Sequence, residues 1–444
     1  MSGEMDVRQF YLQALSACER ELPGTQPWLR DLRARARARF ESAGFPTTRD
    51  EAWKYTNLAA LQRQRFQPAV GVSAATAEQM RVAMLEGLDA FQLVFVNGCY
   101  RADLSTPPYI GNQVIGGSLA AMLRDGTQTL EAHLGRVAPL DTHPLAALNA
   151  AFLLDGAYIE LPADAVLERP IQLVYIATAD ALAQPHTLIV AHARSRATVV
   201  EHFIGAEGGR YFTNAVTEVT LERGATLEHY RVQQESTQGF HIGGVYVRQQ
   251  EESRFTAYAV DLGGLLVRND VQTVFAADGA MCALNGLYVA DGRQHVDNHT
   301  LIDHAKPRGT SREFYKGVLG GRARAVFNGR VIVHPDAQQT DAEQVNNNLL
   351  LSEDAEIDTK PALEIYADDV KCSHGATVGQ LDEDQLFYLR ARGIDDAQAR
   401  DLLTFAFAND VLHRFRLAPL RGTLERALNT RLLQGRSLRE LELI

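Results

Sequence analysis

The sequence predicts a mainly β protein, with a strand-rich core held between two helical regions. Three textures carry that reading: a mostly helical region over 1–160, short β-branched runs over 161–379, and renewed helical spacing over 380–444. No long helix interrupts the middle runs, which disfavours an alternating α/β fold. A weak repeat adds to this. The stretches SRATVVEHFIG, RGATLEHYRV, SRFTAYAVD, DGAMCALNG, GRARAVFNG and EDAEIDTKPALEI each join a polar turn to an Ala-containing or aromatic strand. With Ala197, Ala225, Phe255, Ala280, Ala323 and Ala355 as anchors, the spacings are 28, 30, 25, 43 and 32. Irregular repeats of this length suit a β-helix with loops of varying size, each coil burying its apolar face on its neighbours. Periodicity alone also accommodates a β-sandwich; the repeat favours the β-helix.

Along the chain, Phe10, Tyr11, Leu12 and Leu15 recur at helical spacing, and Gly44 with Pro46 stops a second helix. Thr48 followed by Glu51 fits a capping box opening a short helix through Trp53 and Tyr55. A strand over Phe91–Val96 runs into the turn dipeptide Asn97-Gly98, and a helix covers Pro144 to Leu154. Strands are expected at Ile171–Ile176, Thr187–Val190, Ala197–Phe203, Val216–Leu221, Val245–Val247, Val271–Phe275, Ala325–Val333 and Leu363–Tyr366. Asn346-Asn347-Asn348 suits amide stacking at a coil corner. After Gly379, a helix over Leu381–Arg392 ends at Gly393, and another opens at Asp395-Asp396 and runs to about Phe415. It carries two apolar rows: Leu403, Phe407, Val411 and Phe415, beside Leu402, Phe405 and Leu412. One row suffices for docking, so the second implies either a buried place in a helical cap or a partner surface.

Composition excludes several functions. With 44 basic against 55 acidic side chains the net charge is −11, which argues against nucleic acid as main partner. The local basic crowd of Arg30, Arg33, Arg35, Arg37 and Arg39 spreads over several helix faces and reads as solvated. No apolar run approaches the ~18–20 residues of a membrane span. The first residues lack a secretory pattern. Cys18, Cys99, Cys282 and Cys372 are far apart, against both a disulfide framework and an all-thiolate zinc site. Together these point to a reducing, cytoplasmic compartment.

Catalytic signatures are absent: no GxxxxGK[ST] phosphate loop, no GxSxG and no HExxH. His295, His299 and His304 read as scattered surface or corner residues, and Asp368-Asp369 as a turn pair whose side chains diverge. The segment Asp368–Thr377, DDVKCSHGAT, stands out. Cys372 and His374 are two apart, so on an extended strand they share a face, where thiolate and imidazole can ligate iron. Lys371 and His374 are expected to lower the Cys372 thiol pKa. A buried cysteine beside a satisfied histidine is the blander account.

At this segment the sequence resembles the SufB/SufD family. The matching pieces are SREFYKGVLGGRARAVFNGRVIVHPDAQQTDA, NNNLLLSEDAEIDTKPALEIYADDVKCSHGATVG, DQLFYLRARGI and, near the start, EAWKYTNL. The DDVKCSHGATVG form places it on the SufD side of that family. The resemblance implies a right-handed parallel β-helix between helical regions and a non-enzymatic scaffold role in iron–sulfur cluster assembly. It also implies pairing with SufB through the β-helix, with homodimer formation when SufB is absent. The ATPase SufC would bind the C-terminal helices, with Phe407 and Val411 as the expected contacts, and a sulfur donor would act indirectly. Cys372 and His374 would face the SufB interface and hold iron or a nascent cluster transiently, with no permanent cofactor. The rival readings are a SufB-like scaffold holding the cluster more directly, a purely structural adaptor, and a β-helix carbohydrate-active enzyme.

Overall fold

The computed structural model describes residues 6–69, 75–76, 79–80, 85–106 and 114–432. Successive strands alternate between two sheets. From Phe240–Gln249 onward, one sheet continues through Leu266–Phe275, His295–His304 and Arg324–Val333 to Glu356–Ile365. The other continues from Thr226–Gln234 through Arg254–Asp261, Met281–Ala290, Thr310–Leu319 and Thr340–Leu350 to Val370–Gly379. Each strand pairs in parallel with the one a full coil later: Arg254 with Met281, 27 positions on, and Thr310 with Asp341, 31 positions on. A sandwich of hairpins would pair antiparallel, so the register decides for a parallel solenoid.

The repeat anchors are all buried in the solenoid core. Ala280 precedes a strand of one sheet and Ala323 a strand of the other, which accounts for the 43-residue step: the motif changes sheet between them. At one corner each coil places a residue in the left-handed region, among them Arg194, Gly224, Glu252, Gly279 and Arg308. Their amides donate to the next coil, as Arg194 does to Arg223 O at 2.9 Å and Gly224 to Glu251 O at 2.8 Å. Only some of these residues are glycines, so the corner leaves no regular sequence mark.

Helices cover both outer faces. The Val7–Cys18 and Pro27–Ala43 helices place Tyr11, Leu29 and Phe40 in one cluster with Leu188, Val190, Phe212, Val216 and Tyr246. On the second sheet, Phe405, Val411, Phe415, Leu424 and Leu428 pack on Val200, Tyr230, Val232, Tyr258 and Val260. Gly44 ends the Pro27–Ala43 helix at φ 65°, its amide donating to Phe40 O at 2.8 Å.

Several expectations need correction. Thr48 caps nothing: a 3-10 turn, Glu51–Trp53, follows Asp50, whose carboxylate accepts from the Thr47 amide at 2.7 Å. Arg33 is not solvated; it is buried and donates to Pro23 O at 2.7 Å and Leu153 O at 3.1 Å. The three asparagines sit within a strand, not at a corner. Asn346 and Asn348 point inward, where the Asn348 amide donates to Asn346 Oδ1 at 2.6 Å. The sheets also begin upstream of residue 161, since Phe91–Val96 pairs in parallel with Ile171–Ala177.

Candidate functional site

The solenoid ends differently from how it begins. Its first strands are closed by antiparallel partners, Cys99–Tyr100 and Ile115–Ser118. Its last two, Glu356–Ile365 and Val370–Gly379, are the terminal strands of their sheets and carry no further coil among the described residues. Their residues are mostly half-buried or exposed, whereas earlier strands are largely buried. Around this mouth stand exposed Leu351, Ile365, Tyr366 and Val378. An uncovered strand edge with apolar side chains is a template for pairing.

Cys372 and His374 lie on that last strand, at alternate positions of the same face, as their spacing predicts. Cys372 is half-buried against the solenoid core and His374 is exposed at the mouth. The registers define two inward columns beneath them. One runs Cys372, Ala342, Ser311, Cys282; the other runs His374, Gln344, Glu313, Leu284. The thiol departs from expectation. Burial pushes the Cys372 pKa up, a backbone bond from Ala342 opposes this, and Asp341 pushes it up again. Lys371 lies on the opposite face of the strand and does not offset these. A free Cys372 is therefore mostly thiol, and a bound metal would have to displace its proton.

Gln344 Nε2 donates to Glu313 Oε2 at 2.5 Å inside the solenoid. Burial raises the Glu313 pKa from 4.5 to about 7, against the bond from Gln344. A carboxyl raised in the folded state destabilises it progressively as pH rises from its unfolded value through its folded one. Glu313→Gln is therefore expected to gain stability relative to wild type between pH 4.5 and about 7, by on the order of 3 kcal/mol, in denaturant titrations at each pH. A flat difference would mean that Glu313 titrates normally.

The remaining candidates are structural. His295, His299 and His304 share one strand rather than scattering over surface corners. His295 meets Thr56 Oγ1 at 2.9 Å, His299 pairs with Asp297 at 3.0 Å, and buried His304 meets Ser311 at 2.9 Å. Asp368-Asp369 occupies a corner, where Asp369 O accepts from the Gln339 amide at 2.6 Å. Val411 is completely buried in this chain's own layer, and Phe407 is half-buried with Lys316 Nζ 4.3 Å from its ring centre. The expected partner contacts are thus largely used internally. Phe387 and Tyr388, 72% and 56% exposed on the Glu383–Ala391 helix, are the aromatics left outward, and helical spacing alone did not single them out.

Among the described residues, no group of three or more His, Cys, Asp or Glu could hold a metal ion by itself. Cys372 and His374 are two metal-competent side chains at the mouth, fewer than a site of three or more would need. No described helix is long and apolar enough to cross a membrane.

Comparison with known proteins agrees with this architecture. Residues 174–407 match the SUF system FeS cluster assembly SufBD core domain, and residues 5–173 match the SufBD protein N-terminal region. An iron–sulfur cluster assembly SufBD family protein of Synechocystis is 34% identical over 88% of both chains. The iron–sulfur cluster assembly protein SufD of Escherichia coli is 31% identical over 84% of this chain and 86% of its own. Protein ABCI7, chloroplastic, of Arabidopsis thaliana is 30% identical over 91% and 87%. The two matches together span the N-terminal region, the solenoid and the C-terminal helices as far as residue 407, and the chain belongs to the SufBD family of iron–sulfur cluster assembly proteins.

Proposed function

We propose that this chain is the non-catalytic scaffold half of a composite assembly site, completed when a SufB chain covers its open final coil. The observation that carries this is the uncapped mouth, which presents Cys372 and His374 beside exposed Val378, Ile365 and Tyr366. Strand-edge pairing would extend both sheets, and the two donors would then face the ligands that this chain lacks. A soft thiolate and a borderline imidazole suit iron, which is cargo here and not a resident cofactor. The chain has no phosphate loop, so ATP turnover would come from a SufC subunit. SufC would meet the C-terminal helices through Phe387 and Tyr388 rather than through Val411.

Co-expression with SufB and SufC tests this by the mass of the purified complex. Val378→Lys is expected to release SufB, because a charge would be buried at the mouth. Phe387→Ser is expected to weaken SufC binding by about 2 kcal/mol, the scale of an aromatic anchor, with the free chain's melting unchanged. Val411→Asp should instead lower the melting temperature of the free chain. Intact complexes from the first two variants would place both interfaces elsewhere.

A further inference from the structure

The column beneath His374 contains a buried acceptor without a partner. Gln344 is fully buried, its Nε2 is committed to Glu313, and its Oε1 has no hydrogen bond. Leaving such a group unpaired costs about 1–3 kcal/mol, so the fold holds it for a donor not yet engaged. When Glu313 is ionised its carboxylate fixes which way the amide points, since reversing it would set oxygen against oxygen. Gly329 makes the room for that amide, since a Cβ there would lie 2.1 Å from Gln344 Nε2. On the facing strand, the inward hydroxyl of Thr359 is already given to Asn346 Oδ1 at 2.8 Å. The in-register neighbour on the mouth side is His374, one strand spacing of about 4.8 Å away.

We propose that Gln344 is a positioning residue for His374, its Oε1 accepting one imidazole N–H when the mouth is covered so that the other ring nitrogen is presented as ligand. Glu313 acts one step further back, by orienting the Gln344 amide. Histidine ligands generally donate their second ring nitrogen to such a partner, which sets the tautomer and strengthens the ligand. This inference rests on the reading of His374 as a ligand.

The test uses the assembled complex, ferrous iron alone as probe, and two readouts. These are iron affinity by chelator competition and the ring ¹⁵N signals of His374, assigned by their loss in His374→Ala. Gln344→Leu is expected to weaken iron binding about tenfold and to change the His374 tautomer signal, with complex mass unchanged. Glu313→Gln, which still accepts from the amide, should keep both readouts; Glu313→Leu should lose both. If Gln344→Leu does not assemble, the Glu313 pair decides alone. Wild-type ring signals and iron affinity in Gln344→Leu, or in Glu313→Leu, overturn the inference while leaving His374 as ligand. Full iron affinity in His374→Ala overturns the underlying reading as well.

Discussion

Replacing His374 by Ala is expected to cut cluster formation on the assembled complex by about tenfold or more, with the complex itself intact. The reasoning is local. His374 is exposed at the mouth and bears no load in the core, so its removal costs the fold little. On the proposed reading it is one of the two ligands on the final strand, and no other histidine lies on that strand. Cys372→Ser should act in the same direction with a smaller effect. A hydroxyl is a poor soft ligand, yet the native thiol is itself held largely protonated by burial and Asp341, so less ligand strength is lost. Reconstitution with iron and a sulfur donor, alongside size-exclusion of each variant, measures both effects. Normal cluster yield in both variants would reduce the chain to an adaptor. Loss of the complex would make the pair structural.

Much of this was legible in the sequence, and the parts that were not share a physical cause. Strands with apolar residues on both faces announced themselves because both sides are buried: in His186–Ala191 the solenoid core takes Ile189 and Ala191 and the helix layer takes Leu188 and Val190. Strands such as Thr340–Leu350 did not, because their inward positions include Gln344, Asn346 and Asn348. A solenoid core can hold polar groups when neighbouring coils pair them, as Glu201 does with His229 at 2.9 Å. Such a core erases the apolar alternation on which strand prediction depends. The candidate pair was visible because two residues on one strand need only a spacing rule. Gln344 and Glu313 were not, since their position beneath His374 is a matter of register between strands about 30 residues apart. The two apolar rows of the Asp396–Leu412 helix were real, but both sides of the choice they posed cannot be read from one chain's pattern. Phe405, Val411 and Leu412 proved to be docked on the chain's own sheet.

The second large effect concerns the N-terminal motif EAWKYTNL, whose role emerges only in the folded chain. Arg268, 1% exposed, lies on the outer face of the solenoid, with its guanidinium 3.9 Å from the centre of the Trp53 ring. It donates to Ala52 O at 2.6 Å and pairs with Asp297 at 2.7 Å and Asp270 at 3.0 Å. Thr56 Oγ1 donates to Asp297 at 2.5 Å, and Glu51 reaches Lys360 at 3.0 Å. The motif is therefore a clasp between the N-terminal helices and the solenoid. Burial alone would raise the Asp297 pKa, but Arg268 and then His299 override it and hold the carboxyl well below its usual range. Arg268→Met keeps the volume and the stacking on Trp53 but leaves two carboxylates buried without their cation. A loss of about 3–5 kcal/mol at neutral pH is expected, with residues 6–69 becoming accessible to protease before the solenoid unfolds. The sign with pH is fixed by the same pair. A depressed carboxyl stabilises the fold above its unfolded pKa, and that contribution fades as pH falls toward the folded value. In the variant, burial without the cation lifts both carboxyls above their ordinary 3.8, so the gap should be constant only above those lifted values, narrow as pH falls through them, and narrow further below 3.8. Denaturant midpoints across that range measure the gap. A difference under 1 kcal/mol at neutral pH, or one that widens in acid, would show that the two aspartates do not depend on Arg268 for their charge.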